Sequence, residues 1–331
     1  MEDGTGMRRE IAVAVLFAVA AAGCSGTPGA APPVGQAQQP VSAERRASAL
    51  PVSLRGITYD DFSSRCGVSS DEIATVQALN HPTVRVVFDP IGPSCYASAM
   101  QTLHQSAYTM GELADSSSLK RYSLGQIRAR TKSYVSALAS TTDLWEIGNE
   151  VNGEWLSKVR CSSYHECPAQ AHDVMSKVEA MFDIVNARGL ATELTLYYQV
   201  PKYVTPGYNM ISWERTYVPA KMHRKLRYVL VSYYEAGNYG VRPSRSQWNK
   251  IFTQLAADFP NAMVGFGEIG MAAPIDDSSL ANAQSIFSYY MSIAPPNVAH
   301  FTRAGFWWYA AEDLVPSTKW PSFYQEVQST L

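Results

Sequence analysis

Eight short runs rich in β-branched and aromatic residues recur from residue 54 to residue 310, and helical patterns separate most of them. They read LRGITYD (54–60), TVRVVFD (83–89), SAYTMGEL (106–113), DLWEIGNE (143–150), ATELTLYY (191–198), RYVLVSYY (227–234), AMVGFGE (262–268) and AGFWWYA (304–310). Strand and helix in alternation imply parallel strands, since each crossover returns the chain to the same end of the sheet. Eight such units in about 280 residues match the usual size of an α/β fold closed on itself, the (β/α)8 TIM barrel. An open, doubly wound sheet is the other architecture that the alternation allows. The helical segments carry stop and start signals. One ends on Arg188-Gly189, and the one at 244–259 opens on a Ser cap and is followed by Pro260. The weakest pieces are the third strand and the segment SWERTYVPAKMHRKL, which contains Pro219.

Ahead of the barrel the composition changes. Met7-Arg8-Arg9 precedes a short apolar run, IAVAVLFAVAA, and then AAGC. The run is too short to span a bilayer and reads as a signal peptide over 1–24. Its ending resembles a bacterial lipobox, with Cys24 as the lipidated residue; a plain secretory peptide cut near Ala22 is the other reading. Residues 25–53, including TPGAAPPVGQAQQP, hold few large apolar side chains and read as a flexible tether. The barrel would then occupy 54–331. The expected location is the bacterial cell envelope, exported and lipid-anchored on its periplasmic or surface face, or secreted. Cys66, Cys95, Cys161 and Cys167 remain for an oxidising compartment. They allow three connectivities, of which Cys66–Cys95 and Cys161–Cys167 are expected.

The formal net charge is −2 and no long basic run occurs, so a nucleic-acid partner is not expected. Many of the 19 Tyr, 7 Trp and 11 Phe can serve the core, but so many also suit a site that stacks flat, partly apolar ligands such as sugars. The active face of such a barrel lies at the C-terminal strand ends. There the sequence places Tyr59 and Asp60, Asp89, Glu112, Asn149-Glu150, Tyr233-Tyr234-Glu235, Glu268 and Trp307-Trp308. So many carboxylates and aromatics at one face point to a carbohydrate cleft.

The segment WEIGNEVNGEW (145–155), with a second Glu ending strand 7, resembles the clan A glycoside hydrolases, among them the cellulase-like family 5 and the xylosidase-like family 39. The resemblance spans the barrel and rests on motifs at strands 2, 4, 6, 7 and 8. It implies that Glu150 is the general acid/base and Glu268 the nucleophile of a retaining enzyme on β-linked saccharides. Chemically, glycoside cleavage needs two carboxyl groups flanking the anomeric carbon, with their pKa values held apart. Asn149 would bind the sugar 2-hydroxyl. Arg85 would keep Glu268 ionised, or pair with Glu146 inside the barrel. From strand 6, Tyr234 would touch the nucleophile, with Tyr233 as rival. From strand 8, Trp308 would be the sugar-stacking floor, with Trp307 as rival; a one-residue change of register exchanges either choice. Asp60 and Trp155 complete the expected substrate contacts. The sequence departs from many members in one place: Val151, not proline, follows Glu150.

VGFGEIG (264–270) also spells the dinucleotide fingerprint G-x-G-x-x-G. It lacks the context, because MAAPIDDSS intervenes before any helix and no acid stands about 20 residues on. The six histidines show no ligand spacing, and neither a nucleophile elbow nor a Walker loop occurs. No metal and no cofactor are expected, and the chain is expected to be a monomer. A catalytically silent carbohydrate-binding lipoprotein on the same scaffold is the alternative function.

Overall fold

A computed structural model describes residues 53–60, 62, 65–161, 167–298 and 300–331. The signal peptide, Cys24 and all but the last residue of the tether lie outside the described residues. The strands are β1 (Arg55–Tyr59), β2 (Thr83–Val87), β3 (Tyr108–Glu112), β4 (Leu144–Glu146), β5 (Ala191–Tyr197), β6 (Tyr228–Tyr233), β7 (Met263–Ile269) and β8 (Gly305–Trp307). All neighbours pair in parallel, and β8 returns to pair with β1, closing a TIM barrel in sequence order. The helices are α1 (Ser70–Ala78), α2 (Ala97–Leu103), α3 (Ser116–Leu119), α4 (Leu124–Leu138), α5 (Pro168–Asn186), α6 (Met210–Tyr217), α7 (Ala220–Lys225), α8 (Arg245–Asp258), α9 (Leu280–Met291), α10 (Ala310–Leu314) and α11 (Pro321–Thr330). Capping boxes start three of them, Ser69 with Glu72, Ser123 with Gln126 and Ser244 with Gln247, so two otherwise orphaned amides are satisfied at each start.

Outward-facing strand residues pack under the helices. Phe266 of β7 and Tyr233 of β6 meet Trp248 of α8 and Tyr290 of α9, all buried, with centroids 4.7–6.1 Å apart. The inward face is divided by height. Near the N-terminal ends of the strands it is an apolar plug of Leu54, Met110, Leu144, Ala191, Tyr228, Leu230, Ala304 and Phe306. Above the plug the lumen turns polar, with Thr58, Arg85, Glu112, Glu146, Glu193, Thr195 and Ser232 buried there.

One irregularity in β7 positions the site. Val231 pairs with Phe266 but Tyr233 with Ile269, so β7 holds an extra residue there. Strict alternation would send Gly265, Gly267 and Ile269 to one face and Glu268 to the other. The bulge re-aims the chain, and Glu268 joins the lumen while Ile269 returns to the wall. Gly265 is required nearby, since a Cβ there would sit 2.5 Å from the Thr302 carbonyl oxygen.

Two disulfides form, Cys66–Cys95 and Cys161–Cys167. The first joins the loops after β1 and β2, and the second bridges the loop between β4 and α5. They fit an oxidising compartment. Among the described residues, no helix is long and apolar enough to cross a membrane.

Candidate active site

Glu268 is the hub of the upper lumen. It is 4% exposed. Arg85 Nη2 lies 2.9 Å from its Oε1, Asn149 Nδ2 donates to the same oxygen at 2.9 Å, and the Tyr234 hydroxyl donates to Oε2 at 2.7 Å. Its own backbone N–H is fixed by Ser232 Oγ at 3.2 Å. Burial raises the Glu268 pKa, while Arg85 and then the Tyr234 hydrogen bond pull it back.

Glu150 is treated differently. It follows β4 on backbone that stays tied to β5: Ile147 donates to the Glu193 carbonyl at 3.0 Å and Thr195 to the Gly148 carbonyl at 2.9 Å. Its φ is +51°, a left-handed conformation that costs a residue with a side chain about 1–2 kcal/mol and is tolerated where surroundings over-determine it. Two contacts do so. Val151 donates to the Thr195 carbonyl at 3.3 Å, a bond that a proline in its place would lack. Asn152 accepts from the Tyr197 N–H at 2.7 Å and donates to the Tyr197 carbonyl at 2.9 Å. Burial first, and then the neighbouring Glu268 charge, push the Glu150 carboxyl well above the usual range. Both carboxyls are raised, but they are treated unequally: one is held by a cation and two donors, the other is pushed further toward its protonated form by burial and the Glu268 charge. Such a pair can supply an acid and a nucleophile at one pH.

Arg85 serves both of its expected partners, Glu268 and Glu146. Its Nε donates to Glu146 at 2.6 Å, and Nη2 reaches Glu146 at 3.1 Å, Glu112 at 2.8 Å and Glu268 at 2.9 Å. Strand register sets Glu112 beside Glu146 and Glu146 beside Glu193. Thr195 Oγ1 bridges Glu146 and Glu193 at 2.8 and 2.9 Å. A single guanidinium cannot neutralise four carboxylates. Burial accordingly raises the Glu112 and Glu193 carboxyls well above the ordinary range, Arg85 opposing this at Glu112.

The other expected contacts are distributed around this hub. Trp308 is half-buried just past β8, with its ring centroid 5.7 Å from the Arg85 guanidinium carbon. Trp307 points into the wall, donates to Asp313 at 2.7 Å and packs on Phe323. Tyr233 likewise turns outward and donates to the Val241 carbonyl at 2.7 Å. Asp60 lies at the rim, and burial together with Asp115 and Asp89 raises its pKa to about 8. Trp155 is 40% exposed on the loop after Glu150 and meets Tyr197 edge-on at 5.9 Å. Glu235 is drawn away, paired with Arg242 and the Tyr290 hydroxyl.

Tyr197 was missed by sequence reasoning. It ends β5, and its hydroxyl is raised first by burial and then by the charges of Glu150 and Glu268. The available signal was the tyrosine pair that closes the fifth strand. Glu112 was expected at a strand end of the active face, but Glu193 as a lumen acid was not foreseen. Among the described residues no group of His, Cys, Asp and Glu is arranged to hold a metal ion.

No family model and no curated protein matches this chain. Solved structures do. The catalytic domain of a Bacillus sp. JAMB-750 GH26 endo-β-1,4-mannanase aligns with a TM-score of 0.53 at 9% identity, over 87% of this chain and 87% of that one. Virulence factor SghA from Agrobacterium tumefaciens aligns with a TM-score of 0.52 at 12% identity, over 81% of this chain and 90% of that one. A Bacteroides uniformis β-glucuronidase 2 variant aligns with a TM-score of 0.51 at 12% identity, over 77% of this chain. The chain spans only about a third of the length of the β-glucuronidases it matches (30% in that case). At these identities the likeness is one of fold, a barrel shared with glycoside hydrolases.

Proposed function

We propose that this chain is an exported, retaining glycoside hydrolase acting on a β-linked saccharide. The observation that carries the reading is the unequal treatment of Glu150, after β4, and Glu268, on β7, in one lumen. Glu268, steadied by Arg85, Asn149 and Tyr234, attacks the anomeric carbon. Glu150, protonated, donates to the departing oxygen, and then takes a proton from the water that releases the sugar. Asn149 Oδ1 is buried and has no hydrogen-bond partner among the described residues, which leaves it for the sugar 2-hydroxyl. Trp308 supplies a stacking floor. The Agrobacterium neighbour, virulence factor SghA, is seen in complex with its substrate analog salicin.

The export reading adds a signal peptide over 1–24, lipid on Cys24, a tether over 25–53 and a monomeric barrel over 54–331. Labelled palmitate incorporated by the wild type and not by Cys24→Ala would support the anchor.

Turnover of a panel of β-glycans tests the activity. NMR of the first-formed anomer should show retention, and Glu268→Gln and Glu150→Gln should each lose at least about 1000-fold in kcat. Inversion at the anomeric carbon, or full activity in Glu268→Gln, would sink the mechanism. Binding of a glycan with no turnover would favour the silent carbohydrate-binding reading.

A further inference from the structure

The large hydrophobic side chains exposed among the described residues are Ile91, Trp155, Tyr239 and Val241. All four stand on loops that leave C-terminal strand ends, after β2, β4, β6 and β6 in turn. Exposed apolar surface is thus gathered at the mouth of the barrel, and two of the four are aromatic.

Trp155 and Tyr239 each have a backing aromatic. Trp155 meets Tyr197, and Asn152, two residues after Glu150 on the same loop, bonds the Tyr197 N–H and carbonyl at 2.7 and 2.9 Å. This pair therefore belongs on the side of the acid, where the leaving group departs. Tyr239 is 72% exposed and lies on Tyr203, with centroids 4.2 Å apart and planes 39° from parallel. Tyr203 is partly buried against the core, and Lys202 Nζ stands 5.3 Å from its ring centroid. The outer face of the Tyr239 ring stays free.

The Tyr239 loop is fastened to the site. Asn238 donates to the carbonyl of Tyr234 at 3.0 Å and accepts from the N–H of Val200 at 2.8 Å, tying the loops after β5 and β6 together. Gly237 approaches the Tyr197 hydroxyl so closely that a Cβ there would lie 2.7 Å from it. Tyr239 itself has φ +55°, a conformation that favours glycine, yet it presents a large ring to solvent. A fixed, solvent-facing ring continuous with the acid side of the cleft has the chemistry to stack the C–H face of a sugar.

We propose that Tyr239, backed by Tyr203, is a distal subsite for the leaving-group portion of an extended β-linked saccharide, reached past Trp155 and Tyr197. The proposal rests on the glycosidase reading for its direction. It gives the leaving-group side room for more than one sugar unit, because units beyond the bond cleaved gain a contact on the acid side.

The test is calorimetric titration of the Glu268→Gln protein with β-1,4-linked gluco- and manno-oligosaccharides, from disaccharide to hexasaccharide. Affinity should rise with length in at least one series. In Glu268→Gln/Tyr239→Ala the long-to-short affinity ratio should fall about tenfold, and Tyr239→Phe should keep it. Product analysis on the hexasaccharide should show wild type releasing leaving fragments longer than one unit, and Tyr239→Ala releasing shorter ones. Tyr239 is exposed, so its variants should melt as wild type does. Affinity that does not rise with length in either series, or a ratio unchanged in Tyr239→Ala, overturns the subsite. If wild type cleaves no glycan yet length-dependent binding through Tyr239 holds, the subsite stands and the glycosidase reading falls. Cleavage without length dependence does the reverse.

Discussion

The hydroxyl of Tyr234 donates to Glu268 Oε2 at 2.7 Å, on the opposite carboxylate oxygen from Arg85 and Asn149. This bond stabilises the ionised carboxylate. Removing it in Tyr234→Phe should cost about 1.5–3 kcal/mol of that stabilisation, or roughly 10- to 100-fold in kcat. The Glu268 pKa should rise, so the acid limb of the kcat/KM profile should move to higher pH. An acid limb that stays in place would remove Tyr234 from the role.

Glu146 acts on the same carboxylate with the opposite sign. Its charge raises the Glu268 pKa across the shared Arg85. In Glu146→Gln the acid limb should therefore move to lower pH. The variant also leaves a buried guanidinium short of a partner, so urea unfolding should show a loss of about 3 kcal/mol. A limb moving upward would mean that Arg85 had swung away from Glu268.

The Glu150 carboxyl is raised by burial and by Glu268. Glu268→Gln keeps the burial and removes the charge, so the Glu150 pKa should fall. Carbon-13 NMR of labelled glutamate carboxyls reads this directly, without turnover. No change would place the two groups too far apart to work on one bond.

Asp60 titrates near pH 8 in the folded chain and near 4 when unfolded. Between those values the unfolded chain has released a proton that the folded one retains, so stability falls as pH rises from about 4 to about 8. Asp60→Asn lacks this loss. Its Tm should match wild type at about pH 4 and exceed it by up to about 10 °C at about pH 8.5, by calorimetry. Equal melting at both values would show that the rim stays hydrated enough to ionise Asp60 freely.

Much of this was legible in the chain itself. The eight runs were visible because barrel strands are short, β-branched and separated by amphipathic helices, and each observed strand overlaps its run. The rest depended on registers that alternation alone does not determine. Tyr234 against Tyr233, and Trp308 against Trp307, were single-residue choices at strand ends. The β7 bulge that brings Glu268 inward has no compositional mark beyond its glycines. Glu112 read as one more strand-end acid and Glu193 as an ordinary strand polar residue, because their grouping with Arg85 arises only once strands two to five stand side by side. Tyr197 lay at a strand end that offered no carboxylate to draw attention.

Arg85 binds three carboxylates at once, two of which hold the lumen together and one of which is the reactive group. Inheritance should follow that division. A descendant that abandons chemistry and keeps the barrel has little freedom to discard Arg85 or Glu146, but it can lose Glu150, whose carboxyl holds no lumen side chain by a hydrogen bond among the described residues. Retired members of such a lineage should therefore be recognisable by an intact arginine cluster beside a missing acid.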